Sequence, residues 1–202
     1  MKRVKKGLAF FLATWIWMLA LPVGTLSAME NTAEFLGGDG TEESPYLISN
    51  KTHLNNVRNH LDAHFLMVAD IEFNEADFAQ GGEFYNGGQG WEPIGTERTT
   101  AFTGVFDGGG HTIRKLTILG TSRGVFDIGL FGVNKGIIQN VGLAQTAITR
   151  IFFNFSTVNA GGIAGTNYKT ISRCYATGTM SITANYANIA VVGGLAGYNG
   201  GR

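Results

Sequence analysis

The stretch GLFGVNKGIIQN at 129–140 recurs in altered form as GIAGTNYKTISR at 162–173 and GLAGYNGG at 194–201. The copies begin 33 and 32 residues apart. Their turn positions fall into columns. Leu130, Ile163 and Leu195 share one, Gly132, Gly165 and Gly197 a second, and Asn134, Asn167 and Asn199 a third. Glycine in a column allows either a positive φ or close approach of two backbones. Asparagine at a turn tolerates left-handed backbone and can bond to the neighbouring layer.

The strand-like segments around these turns also superpose. TIRKLTI at 112–118, IIQNVGL at 137–143 and TISRCYA at 170–176 align at offsets of 25 and 33 residues. This alignment puts Ile113, Ile138 and Ile171 in one column, Leu116, Val141 and Cys174 in another, and Ile118, Leu143 and Ala176 in a third. A period of 25–33 residues with short β segments and Gly-rich turns is a solenoid pattern. Helical solenoids of that period need long amphipathic helices, and the sequence has none. The expected fold is all-β: a right-handed parallel β-helix with one short N-terminal capping helix. Stacking at about 4.8 Å per coil, five or six coils would make a rod about 25–30 Å long.

Composition agrees with a turn-rich β protein. The 202 residues include thirty Gly, three Pro and one Cys, with 15% charged and 44% hydrophobic residues. Cys174 stands alone, so no internal disulfide can brace the fold.

The N-terminus has the layout of an export signal. Lys2, Arg3, Lys5 and Lys6 precede the apolar GLAFFLATWIWMLAL, and PVGTLSA supplies small residues before a cleavage point after Ala28. An uncleaved anchor would need about 20 apolar residues, more than this run offers. Without residues 1–28, eleven basic residues face fifteen acidic ones, a net charge of −4. Such a chain has no general attraction to nucleic acid or anionic membrane.

Residues 29–101 read as a capping unit and 102–202 as coils, the final one incomplete. In the capping unit, Ser49 or Asn50 can cap a helix whose apolar face is Leu54, Val57 and Leu61. FLMVADIEF follows as a largely buried strand, and residues 76–100 are rich in loops. The helix would cover the first sheet edge. Because the third copy stops before its strand, the sequence predicts a fragment of a longer protein, open to self-association through its C-terminal end.

GLFGVNKG, GGIAGTNYKT and GGLAGYNGG resemble the GLUG motif of bacterial surface proteins. FTGVFDGGGHTIRKLTI at 102–118 resembles the coil that introduces such repeats, and GGDGTEESPYLIS…LNNVR resembles their opening unit. The resemblance spans most of residues 35–202 and departs at Lys169, where Gly is usual. It implies a right-handed parallel β-helix in secreted or wall-attached proteins. These include adhesin-like proteins and the non-catalytic N-terminal regions of immunoglobulin A-cleaving metallopeptidases.

Catalytic patterns are sparse. His-Glu-x-x-His is absent from the sequence. His53, His60 and His64 are spaced to share a helix face, where a metal site competes with the commoner reading of solvated histidines. Asp107 and His111 read either as an acid/base pair or, preferably, as parts of a turn. No Asp or Glu follows Asp127, so a two-carboxylate site would have to draw on Asp70, Glu72, Glu75, Asp77, Glu83, Glu92, Glu97, Asp107 and Asp127. Phe84, Tyr85 and Trp91 offer aromatic faces to a sugar, with packing over the coil end as the favoured alternative. RIFFNFSTV at 150–158 reads as a buried strand or an exposed patch.

The expected function is non-catalytic display, adhesion or binding on the cell surface or in the medium. The partner would be a host or cell-surface glycan or protein. No cofactor, metal or nucleic acid is implied, and membrane contact is confined to export. The alternatives are a polysaccharide lyase or hydrolase of β-helix type, or an accessory region of a larger metallopeptidase.

Overall fold

The computed structural model describes residues 34–97, 99–122, 127–153, 157–185 and 189–201. The expected export signal with its expected cleavage point, and residues 154–156 within RIFFNFSTV, lie outside the described residues. Residues 34–202 form one compact unit.

Short strands dominate, and neighbouring strands in all four sheets run parallel. One sheet runs through Tyr46–Ile48, His64–Met67, Val105–Asp107, Ile137–Gln139 and Thr170–Ser172. A second joins Ile71–Glu72, Thr112–Arg114, Gly142–Phe153 and Tyr175–Asn185, with Thr117–Ile118 and Thr121–Ser122 also beside Gly142–Phe153. Two three-stranded sheets complete the set. One holds Asp127–Ile128, Thr157–Gly161 and Ile189–Gly193; the other holds Phe131–Asn134, Ala164–Asn167 and Ala196–Asn199. In each sheet the strands lie in chain order, so every repeat sits beside the one before it.

Registration turns the repeat into columns of like residues. Phe65, Phe106, Ile138 and Ile171 stand side by side, as do Ile71, Ile113, Leu143 and Ala176. These side chains point inward, and all but the last member of each column are buried. Each buried aliphatic or aromatic side chain contributes about 1.5–3 kcal/mol. Phe102 and Phe131 pack at 4.9 Å between ring centroids.

The register corrects one expectation. Val105–Asp107, not Thr112–Arg114, lies beside Ile137–Gln139, and Thr112–Arg114 lies beside Gly142–Ala144. Ile113 therefore does not share the Ile138 column, and Leu116 does not share that of Val141 and Cys174. The cause is the turn between these strands. Gly108–His111 separates Asp107 from Thr112, whereas Asn140 and Val141 alone separate Gln139 from Gly142. The longer turn uses Gly109 at φ +59° and Gly110 at φ +83°, which residues with a side chain rarely adopt. Cys174 is half-buried against the core, beside Val141.

The expected helix is present at Lys51–Asn56, where the Asn50 side chain accepts from His53 N at 2.8 Å. Leu54 and Val57 are buried beneath it, and Leu61 packs partly against the core. A further single turn, Glu75–Phe78, is closed by reciprocal bonds between Asn74 and Asp77. Leu36 and Gly37 bond to Leu47, while Ile94 and Phe102 bridge to Phe131 and Asn134.

Candidate functional site

Strand alternation turns every second residue of a strand outward. On the five-stranded sheet, His64, Val105 and Ile137 form one outward row and Leu66, Asp107 and Gln139 the next. With Glu42 and Pro45 they line a groove of about 400 Å³ in which apolar and polar side chains are interspersed. The groove crosses strands from the capping unit and from successive repeats.

Asp107 is built into one wall of this groove. Its Oδ1 accepts from Gly109 N at 2.8 Å and Asn140 Nδ2 at 2.9 Å, and its Oδ2 accepts from Gln139 Nε2 at 2.7 Å. Arg173, one repeat further, donates to Asn140 Oδ1 and to Gln139 Oε1. Partial burial would push the Asp107 carboxyl up. The bonds from Asn140, Gly109 and Gln139, with the charge of Arg173, outweigh it and hold the pKa below the usual aspartate value.

His111 does not meet Asp107. Its Nδ1 lies 3.2 Å from Asp70 Oδ1, and Asp70 also accepts from Thr112 N at 2.9 Å. That backbone bond, then His111 and Arg114, keeps the Asp70 carboxyl low. The remaining carboxylates are spread out. Glu72 pairs with Lys115, Asp77 with Lys51, Glu92 with Arg58, and Glu83 accepts from Thr52. Asp127 accepts from Asn159 and Thr166.

The three histidines face different partners. His53 is buried against Ser49 and Asn50, His60 pairs with Glu34 at 2.8 Å, and His64 opens a strand on the groove. The aromatic trio divides as well. Trp91 is 1% exposed and donates Nε1 to Leu130 O at 3.1 Å, while Phe84 is 5% exposed and packs 5.8 Å from it. Those two rings belong to the core and have no face free for a sugar. Tyr85 alone is half-exposed.

The asparagine column is a directed hydrogen-bond ladder. Asn134 Nδ2 donates to Asn167 Oδ1, and Asn167 Nδ2 donates to Asn199 Oδ1, both at 2.7 Å. Asn134 Oδ1 also accepts from Gly136 N at 2.9 Å; the matching bond from Lys169 N to Asn167 is longer, 3.4 Å. The substitution of Lys for Gly thus coincides with a looser turn. The glycine column serves close approach. None of Gly132, Gly165 and Gly197 has positive φ, and a Cβ on Gly165 would meet Ile128 N at 2.4 Å.

Sequence reading missed the groove and the Asp107–Asn140–Arg173 network. The true offsets would have found both, since 32 residues align Asp107 with Gln139 and 33 align Asn140 with Arg173.

No family model matches the chain. Over 177 residues it is 34% identical to a protein of Evansella cellulosilytica provisionally named a Gly-rich membrane protein, covering 85% of this chain and 19% of that protein. Over 149 residues it is 34% identical to halomucin of Haloquadratum walsbyi, covering 71% of this chain and 2% of halomucin. The chain therefore spans about a fifth of the first relative's length and about a fiftieth of the second's. A crystal structure from Bacteroides ovatus, provisionally assigned as an immunoglobulin A1 protease, aligns with a TM-score of 0.49 at 19% identity, covering 84% of this chain and 58% of that one.

Proposed function

We propose that the chain is a right-handed parallel β-helix of the GLUG-motif type. It is exported and works at the cell surface or in the medium as a non-catalytic binding and display module. The observation that carries this reading is the groove on the five-stranded parallel sheet. Apolar side chains interspersed with a carboxylate, an imidazole and an amide suit a chain-like ligand laid across successive strands, a glycan or an extended peptide. The names of the two relatives, a membrane protein and halomucin, support a surface setting.

The polar groups favour binding over catalysis. Asp107 is held by three donors and His111 is engaged by Asp70, so neither is poised to move a proton for the other. The test is binding of the exported chain to arrays of neutral and acidic glycans and of cell-surface proteins, with Ile137→Lys as the groove variant. Retention that Ile137→Lys reduces at least tenfold, without new reducing or unsaturated ends, supports the reading. Release of such ends, or binding indifferent to Ile137→Lys, contradicts it.

A further inference from the structure

The tetrapeptide Tyr-Asn-Gly-Gly occurs twice, at 85–88 and at 198–201, and both of its asparagines are exposed. Asparagine followed by glycine is the pair in which a backbone nitrogen most readily attacks the side-chain amide before it, because glycine has no Cβ in the way. With the local sequence identical, only the surrounding structure distinguishes the two copies.

At 199 both reacting groups are held. Asn199 Oδ1 accepts from Asn167 Nδ2 at 2.7 Å, and Gly200 N donates to Asn167 O at 2.8 Å. At 86 neither group is held. Gly88 N and Gln89 N close the turn onto Tyr85 O and Asn86 O, at 2.8 and 3.1 Å. Gly87 N and the Asn86 side chain have no hydrogen-bond partner among the described residues. Asn86 and Gly87 both take left-handed backbone, at φ +42° and +61°, and a Cβ on Gly87 would meet nothing within 4 Å. Gly87 is exposed, so water can take the proton from its nitrogen.

We propose that Asn86 is a site of spontaneous covalent modification, converting to aspartate and isoaspartate through a cyclic imide. Gly87 N gives up its proton and bonds to Asn86 Cγ; the Cγ–Nδ2 bond breaks, and Nδ2 takes a proton and leaves as ammonia. Water then opens the imide. Cleavage between Cγ and the Gly87 nitrogen gives aspartate. Cleavage between the Asn86 backbone carbonyl carbon and that nitrogen gives isoaspartate, whose main chain runs through the side chain. Water is consumed, ammonia is released, and nothing is oxidised or reduced. Either product puts a new carboxylate in a polar hollow of about 270 Å³ that residue 86 shares with Arg58, Glu83 and Glu92. None of these residues lines the groove, so the modification does not depend on the groove or its ligand.

The test incubates the native protein, and the same protein denatured in guanidinium chloride, at mildly alkaline pH. Proteolysis and mass spectrometry follow the two Tyr-Asn-Gly-Gly segments, and an isoaspartate methylation assay reads the rearranged product. In the denatured chain the two asparagines should convert at the same rate. In the native protein Asn86 should convert about tenfold faster than Asn199 or more, because two hydrogen bonds must break before Asn199 can react. Asn86 that keeps its amide in the native protein while the denatured chain loses it overturns the proposal. So does native conversion of Asn86 and Asn199 at one rate, or a denatured chain that converts neither.

Discussion

Asn134 and Asn167, 33 residues apart in the chain, are joined by one 2.7 Å hydrogen bond between their side-chain amides, and both residues are at most 1% exposed. Because Asn167 is at once acceptor and donor, its loss removes both ladder bonds, while Asn134 Nδ2 keeps Gly136 O and Thr170 O as acceptors and Asn199 faces water. Asn167→Ala is expected to cost about 1–3 kcal/mol, the net worth of two hydrogen bonds at about 0.5–1.5 kcal/mol each. Asn199→Ala, at the exposed end, should cost less than half as much. Denaturant midpoints measure both; equal effects would mean that the ladder has no energetic direction.

The glycine column makes a steric prediction. Gly165→Ala puts a Cβ against backbone atoms of Asp127 and Ile128, and should cost about 1–3 kcal/mol through overpacking. Gly194→Ala meets nothing within 4 Å and should stay within about 0.5 kcal/mol of the native protein. Thermal or denaturant unfolding of the two variants side by side checks the contrast.

Asp107 makes a prediction about acid. Its folded pKa lies below the unfolded value of about 3.9, so folding favours the carboxylate. Its contribution is complete above the unfolded pKa and is lost as pH falls through the lower folded one. Asp107→Asn should therefore lower stability at neutral pH and flatten the loss of stability below about pH 4. An acid branch of unchanged slope in the variant would contradict the network drawn around this residue.

Arg150 is 2% exposed, donates to Gln89 Oε1 and Leu119 O, and has no carboxylate partner among the described residues. Its Nε has no partner among them either, and burial lowers its pKa. A buried charge so placed adds little stability, so Arg150→Met should fall within about 1 kcal/mol of the native protein or exceed it. A loss of about 3 kcal/mol or more would show that the guanidinium has a strong counter-charge in the folded protein.

Cys174 is half-buried, and burial pushes its thiol pKa up. A thiol reagent should modify the native protein to completion, but more slowly than the denatured chain at the same pH. Equal rates would mean that Cys174 stands clear of Val141 and the strand it follows.

The columns of turns were legible in the sequence because the GLFGVN-type copies differ in length by a single residue. Leu130 with Ile163 and Leu195, and the asparagines with them, fell into register unaided. The introducing coil was not legible in the same way. TIRKLTI and IIQNVGL both carry apolar residues spaced three and then two apart, so they fitted at an offset of 25 although the true neighbour of Thr112–Arg114 lies at 30. The two extra residues in the Gly108–His111 turn take the offset from 32 before the turn to 30 after it, an effect set by backbone geometry. For Trp91 and Phe84 the sequence left open sugar stacking or the favoured packing, and both rings are buried in edge-on contact with Phe73.

The central claim is the parallel register, and cysteine pairs test it directly. Directly paired residues on neighbouring strands lie about 4.8 Å apart, within reach of a disulfide. In a Cys174→Ser background, Val105→Cys with Ile137→Cys should form an intrachain disulfide on mild oxidation, because these residues are register partners. Arg114→Cys with Gln139→Cys, the pair that a 25-residue offset would bring together, should remain reduced. Mass spectrometry of the oxidised proteins reads the result. Cross-linking of Arg114→Cys with Gln139→Cys, but not of Val105→Cys with Ile137→Cys, would contradict the register and the groove built on it.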